Sequence, residues 1–87
     1  MNYIQKRLKE IEKMECDERL TDLYCLLSFV LGEDVNYEDV HDAWSIWQNR
    51  IDPAHKSLIP YNQLEYSIQI LDGEYCQKIK NSVKGDE

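Results

Sequence analysis

Glycine and proline are scarce in this 87-residue sequence, which holds three and two of them. Both residues interrupt regular structure, so their scarcity favours long secondary-structure elements over flexible linkers. Long apolar runs are missing as well. The longest spans residues 23–31, is broken by Ser28, and falls far short of the ~20 residues of a membrane-spanning helix. With no apolar signal core in the first seven residues, these absences predict a cytoplasmic protein without a membrane partner.

Cysteine is also sparse, and its three copies, Cys16, Cys25 and Cys76, form neither an even set nor a C-x-x-C pair. A disulfide framework requires paired cysteines, and a structural zinc site requires closely spaced ligands. The pattern therefore predicts buried free thiols in a reducing compartment.

Motifs that carry catalysis are absent. The sequence contains no glycine-rich phosphate loop. Ser45 and Ser57 lie near His41 and His55, but nothing around them is typical of an activated nucleophile. The two histidines are fourteen positions apart and would need carboxylates folded against them to hold a metal ion. We therefore expect a protein that is not an enzyme and uses neither a metal nor a cofactor.

Basic residues are few in the part of the sequence where acidic residues are concentrated. Residues 10–42 hold eleven carboxylates against Lys13 and Arg19, a net charge of −9, whereas residues 1–9 carry +3. Nucleic-acid binding requires a basic stripe, so this distribution argues against it. The acidic region 10–42 is typical of a solvated surface. It is alternatively a docking face for a basic protein partner, which would make the chain an inhibitor of a host protein.

Apolar residues recur at three- and four-residue steps and predict an all-α fold. The four predicted helices cover residues 3–15, residues from the cap Asp17 to Leu31 before Gly32, residues from Asn36 to Ile51, and residues 64–83. Asp52 precedes Pro53 and is pushed out of helical geometry, which ends the third helix. The expected architecture is a small bundle of four helices, with a long ordered crossing loop at 52–63.

The predicted helices form a single compact domain, 1–87. Within it, residues 1–31 form an N-terminal helical hairpin and residues 36–83 form a helix–loop–helix module. Leu20, Leu27 and Leu31 are expected at the centre of the core.

The third helix carries Trp44 and Trp47, which point to nearby faces. Both are typical core anchors; alternatively, one lines a pocket and stacks on a flat ligand, an interaction worth about 1–3 kcal/mol for a nucleobase. Arg50 lies three residues further on. It is either a solvated charge at the helix end or a contact for an anion.

Motifs between residues 38 and 80 follow a familiar order. Residues 38–44 read Glu-Asp-Val-His-Asp-Ala-Trp, residues 55–64 read His-Lys-Ser-Leu-Ile-Pro-Tyr-Asn-Gln-Leu, and a helix containing Asp72 follows. This order resembles the RyR domain, the repeat of ryanodine receptors that also occurs as small bacterial and phage modules. Two features depart from the family pattern: a Gly-Trp pair is absent from the loop, and Lys56 replaces the usual proline.

The resemblance implies a binding module, of a kind encoded by phages or prophages, for an adenine-containing nucleotide on which tryptophan stacks. Carried over residue by residue, it points to His41, Trp44, His55, Tyr61 and Leu64. His41, His55 and Leu64 are equally well interpreted as conformational locks, such as a histidine bonding the loop backbone or a leucine in the core.

The leading hypothesis is a non-enzymatic module that binds or sequesters an adenine-nucleotide-type ligand. Its predicted ligand contacts are His41, Trp44, Trp47, Arg50, His55 and Tyr61. The acidic protein inhibitor is the alternative. A third interpretation is a homo-oligomer that pairs through the apolar stripe of Ile4, Leu8 and Ile11.

Overall fold

Four α-helices make up the fold. The computed structural model describes residues 1–85, so the last two positions of the predicted 1–87 domain lie outside the described residues. The helices are α1 (Tyr3–Ile11), α2 (Glu18–Val30), α3 (Tyr37–Ile51) and α4 (Tyr66–Gly85). The described range contains no strand, which confirms the predicted all-α class. In the same range, no helix combines the length and apolar character needed to cross a membrane.

The starts of α2 and α3 follow from local side-chain caps, as predicted. The Asp17 side chain accepts a hydrogen bond from the amide of Arg19 at the start of α2. At α3, Asn36 and Asp39 form a reciprocal capping box, in which each side chain accepts from the other residue's amide. These bonds satisfy amides that a helix leaves without intrahelical partners.

The ends of α2 and α3 also follow the prediction. Leu31 caps α2, and Gly32 after it adopts a positive φ of +58°, a conformation that glycine reaches without the strain of a Cβ atom. Asp52, before Pro53, has extended backbone geometry and closes α3 after Ile51.

Two helix boundaries differ from the prediction. The first helix, expected to reach residue 15, ends at Ile11 and continues as a short 3-10 turn, Glu12–Met14, before Glu15 enters the left-handed region at φ 57°. The last helix begins at Tyr66 and not at Leu64. Leu64 has extended geometry because a 3-10 turn, Tyr61–Gln63, ends against it, and its side chain is buried.

All four helices contribute to one hydrophobic core. Its buried members are Ile11, Leu20, Tyr24, Cys25, Val35, Val40, Ala43, Cys76 and Ile79. Leu20 is buried as predicted, but Leu27 and Leu31 are only half-buried at the periphery. The reason is that α2 packs against α1, α3 and α4, and it turns the stripe of Thr21, Tyr24, Cys25 and Ser28 inward. Tyr24, 1% exposed, therefore occupies the centre where leucines were expected.

Glycine in the middle of α4 has a packing role. A Cβ atom at Gly73 would lie 3.3 Å from Cζ of Tyr37, closer than ordinary van der Waals contact. Glycine therefore lets the first side chain of α3 lie against the α4 backbone, which compensates for its low helix propensity.

The apolar stripe of Ile4, Leu8 and Ile11, expected to pair in a homo-oligomer, packs largely within the chain itself. Ile11 is buried in the core and Leu8 packs against it, so of the three residues only Ile4 is exposed, at 38%.

All three cysteines are thiols: Cys25 and Cys76 are buried and Cys16 is half-buried. Cys76 donates a hydrogen bond through Sγ to the carbonyl of Val35, at 3.4 Å. Burial raises the pKa of the Cys16 and Cys76 thiols, which keeps them protonated and poorly nucleophilic.

Candidate ligand-binding site

A cavity of about 280 Å³ opens between α3, α4 and the loop that connects them. Its lining consists of Tyr24, His41, Trp44, His55, Ser57, Ile68, Leu71, Asp72 and Tyr75. Small-molecule sites in proteins run from about 300 to 1,000 Å³ and are lined mainly by apolar and aromatic groups with a few polar ones. This cavity lies just below that range, so it suits a ligand no larger than one flat ring system.

Three of the predicted ligand contacts meet at this cavity. The ring of His41 is stacked on Trp44, with centroids 5.8 Å apart and planes at 21°. His55 approaches Trp44 from the loop in an edge arrangement, at 5.3 Å and 80°. Trp44 is half-buried, so the indole that the two histidines hold remains partly open to the cavity.

His41 locks the crossing loop onto α3. Its Nε2 lies 2.7 Å from the carbonyl oxygen of Ile59. A carbonyl only accepts hydrogen bonds, so Nε2 carries a hydrogen and donates it. The ring is 2% exposed. This geometry matches one of the two interpretations that the sequence allowed for His41, a histidine that bonds the loop backbone. The other interpretation was contact with a ligand.

The second nitrogen of His41 faces a carboxyl group. Nδ1 lies 3.6 Å from Oδ2 of Asp72 on α4, and Asp72 is 8% exposed. Within the described residues, Oδ2 has no hydrogen-bond partner. Burial raises the pKa of Asp72, while the adjacent His41 acts in the opposite direction. Because Nε2 donates to the loop, the neutral imidazole presents the lone pair of Nδ1 to this carboxyl group.

The loop holds His55 through its own backbone. The amide of His55 donates to the carbonyl of Asp52 at 3.1 Å, and the Asp52 side chain accepts from the amide of Ala54. The amide of Ser57 then donates to Nδ1 of His55 at 3.0 Å. The neutral imidazole of His55 therefore carries its hydrogen on Nε2. These successive turns explain how an irregular segment presents an ordered ring to the cavity.

The other predicted contacts lie outside the cavity lining. Trp47 donates through Nε1 to Oδ1 of Asp17, at 3.2 Å, and so ties α3 to the start of α2. Arg50 is an exposed charge in the last turn of α3, where a cation favours the helix dipole. Tyr61 packs beside His41, with ring centroids 6.4 Å apart, but does not line the cavity.

Several lining residues were not predicted from the sequence. Asp72 was recognised only as part of a motif, although a signal for it exists: it lies in register with the apolar stripe of α4, four residues after Ile68 and three before Tyr75. A carboxyl group in such a stripe is unusual, because buried charge is costly without a partner. Tyr24 comes from α2, and its stacking on Tyr75 at 6.0 Å joins residues 51 positions apart in the chain (24 and 75).

The electrostatic character of the cavity is set by its titratable side chains. Asp72, His41 and His55 line it together with two tyrosines, and no described lining residue is a lysine or an arginine. Burial raises the pKa of Tyr24, so its hydroxyl stays protonated. The cavity therefore accommodates neutral or hydrogen-bond-donating groups better than anions. In the part of the chain that is described, no three His, Cys, Asp or Glu side chains group as a metal site.

The acidic region 10–42 lies mostly on the surface. Two of its carboxylates are paired with lysines: Glu10 with Lys13 at 2.9 Å and Glu33 with Lys84 at 3.8 Å. Exposed pairs of this kind contribute little to stability, about 0–1 kcal/mol. The protein partner predicted for this surface stays a prediction.

Comparison with known proteins yields a family but no function. A family model described as a domain of unknown function, DUF7701, matches residues 1–84. No curated protein matches the chain, and no solved structure does. The resemblance to the RyR domain therefore stays a prediction, and function is argued from the cavity itself.

Proposed function

The chain belongs to the DUF7701 family of domains of unknown function, and we propose that it is a non-enzymatic module that binds a flat, adenine-type ligand in the cavity between α3, α4 and the crossing loop. The observation that carries this proposal is the half-open indole of Trp44, held between two histidines beside a hollow of about 280 Å³.

Trp44 provides the surface on which a ring would stack. His41 supports one side of the indole and His55 meets it edge-on, so the indole is held in place before any ligand arrives. A preorganised aromatic wall loses little side-chain entropy on binding, and stacking on it is worth about 1–3 kcal/mol per base. The lining also contains Ile68 and Leu71, which offer apolar contacts to such a ring.

The charge of the cavity orients such a ligand. The described lining provides no lysine or arginine to neutralise a phosphate. The base therefore enters the cavity and the phosphates stay outside, where Lys56 lies exposed in the crossing loop beside His55. A nucleotide bound in this way gains most of its binding energy from the base and sugar.

The arrangement favours binding without turnover. A general base needs a nitrogen or oxygen free to take a proton from the substrate. His41 has one nitrogen bonded to the loop carbonyl and the other facing Asp72, and Nδ1 of His55 accepts from the Ser57 amide. These contacts support a role in shaping the cavity over one in moving protons to a substrate.

Titration calorimetry with adenosine and AMP tests the proposal on two matched tryptophan variants. Trp44→Leu removes the stacking wall, and we expect affinity for both compounds to fall about 5- to 150-fold. Trp47→Phe is the control, since Trp47 contacts Asp17 outside the cavity; it should lower stability but leave affinity unchanged. Absence of binding to the wild-type chain at millimolar ligand would overturn the proposal, as would equal losses in the two variants.

A further inference from the structure

An acidic side chain forms part of the inner wall of the cavity without a hydrogen bond of its own. Oδ2 of Asp72 is sealed from solvent, and Nδ1 of His41 lies 3.6 Å from it, beyond ordinary hydrogen-bond length. Buried polar groups in folded proteins nearly always have a partner. Oδ2 faces His41 and is closed to a ligand, so a ligand in the cavity can supply a partner only to the other carboxyl oxygen, Oδ1.

Proton accounting shows which kind of group Asp72 can meet. Nε2 of His41 donates to Ile59, so the neutral ring presents the lone pair of Nδ1 to Oδ2, and a proton on the carboxyl group would lie on Oδ2 against that lone pair. Protonated in this way or ionised, Asp72 has no hydrogen to donate from Oδ1. The rest of the carboxyl group, which lines the cavity, is then available only as a hydrogen-bond acceptor. A ligand must present a donor to it.

We propose, resting on the function proposed above, that Asp72 accepts a hydrogen bond from an amino group of the ligand. The cavity then selects nitrogen heterocycles that carry an exocyclic amino group over the same ring without it. Adenosine belongs to the first class, and purine riboside, which lacks only the amino group, belongs to the second.

The expected selectivity follows from the cost of an unmade bond. When the ring without a donor enters, it removes the remaining water from Asp72 and offers nothing in return, which leaves the acceptor unsatisfied. A hydrogen bond to a charged or strongly polarised group contributes enough for an affinity ratio of about 10–100. The apolar and aromatic lining cannot make up this difference, because both compounds fill it equally.

Competitive titration of adenosine and purine riboside provides the test, on the wild-type chain and two variants of Asp72. The wild-type chain should bind adenosine at least about tenfold more tightly. Asp72→Val, which has no acceptor, should abolish the preference, so that adenosine and purine riboside bind with equal affinity. Asp72→Asn retains a carbonyl oxygen and should keep part of the preference. Circular dichroism of each variant checks that it folds.

The outcomes separate this inference from the function it rests on. Equal affinities of the wild-type chain for the two compounds would overturn the role of Asp72 while leaving the binding module intact, and they require no variant to fold. Equal losses for both compounds in Asp72→Val would also overturn it, since a residue that only maintains cavity shape affects both. Binding of neither compound to the wild-type chain removes the proposed function and this inference together.

Discussion

Single side chains determine the shape of the cavity. His41 bonds the crossing loop through Nε2 and faces Asp72 through Nδ1, so one ring joins α3, α4 and the loop. Trp44 stacks on the same ring. The position of the loop and the opening beside Trp44 therefore depend on a histidine that is 2% exposed. The locking contact of His41 is thus part of the structure, while its contact with a ligand stays a prediction.

The raised pKa of Asp72 gives a stability prediction for Asp72→Asn. In the folded chain Asp72 keeps its proton above its ordinary pKa of 3.8, whereas the unfolded chain has lost it. Unfolding thus releases a proton, and this contribution of Asp72 to stability is lost as pH rises through the raised value. Asparagine has no such titration. The Tm of the variant minus that of the wild type should therefore increase with pH above 3.8.

Thermal melts followed by circular dichroism, from about pH 4 to pH 8, measure this difference. Titrations that the two proteins share cancel in the subtraction. A difference that stays constant, or that decreases as pH rises, would show that burial does not raise the pKa of Asp72.

At the scale of elements, the connections between helices set how the bundle closes. The chain leaves α1 through a 3-10 turn with Glu15 at φ 57°, and it leaves α2 through Gly32 at φ 58°. Both residues adopt the same left-handed conformation, but only the second is glycine. For a residue with a Cβ atom this conformation costs about 1–2 kcal/mol. The same backbone conformation therefore costs more free energy at Glu15 than at Gly32.

Adding a side chain at Gly32 and removing the one at Glu15 should change the free energy of unfolding in opposite directions. Gly32→Ala should lower the free energy of unfolding by about 1 kcal/mol, through backbone strain alone, because a Cβ atom there would meet nothing within 4 Å. Glu15→Gly should raise it slightly, since relief of strain exceeds the ~0.5–1 kcal/mol of added chain entropy. Urea denaturation of both variants measures the changes. A neutral Gly32→Ala would contradict the assignment of strain to this conformation.

At the scale of the whole molecule, charge repulsion acts across the entire fold. The net charge is −7, and the described residues measure only 39 × 23 × 20 Å. The Debye length is about 30 Å at 0.01 M salt and about 8 Å at 0.15 M, so carboxylates across the bundle repel one another only at low salt. Folding concentrates this charge, which destabilises the compact state.

Added sodium chloride should therefore stabilise the protein. Between about 10 and 150 mM we expect a gain on the order of 1 kcal/mol, or a rise in Tm of about 4–8 °C for a domain of this size. The double variant Glu12→Gln, Glu18→Gln removes two exposed carboxylates and should be more stable at low salt, with a smaller response. A Tm that falls with salt would indicate that specific ion pairs outweigh general repulsion.

Much of the fold could be predicted because its signals are local. Asn36 and Asp39 are three residues apart, and Asp52 precedes Pro53, so the caps and helix ends depend on neighbours within one turn. The centre of the core was harder to predict from the sequence. Leu27 and Leu31 are as apolar as Leu20, but which face of α2 turns inward is decided by packing on three helices at once.

The candidate site also has one part that local sequence predicts and another that depends on helix packing. His41 and Trp44 share one helix, so the sequence alone places them together, and the positions of proline and capping residues determine that an irregular loop follows them. Asp72 and Tyr24 join the site only through tertiary structure, because contacts between residues 31 and 17 positions from His41 depend on how helices pack and not on local propensity. The sequence by itself therefore determined the helices and the common placement of His41 and Trp44 on one of them. Only packing decided that they enclose a hollow with a carboxyl group in its wall.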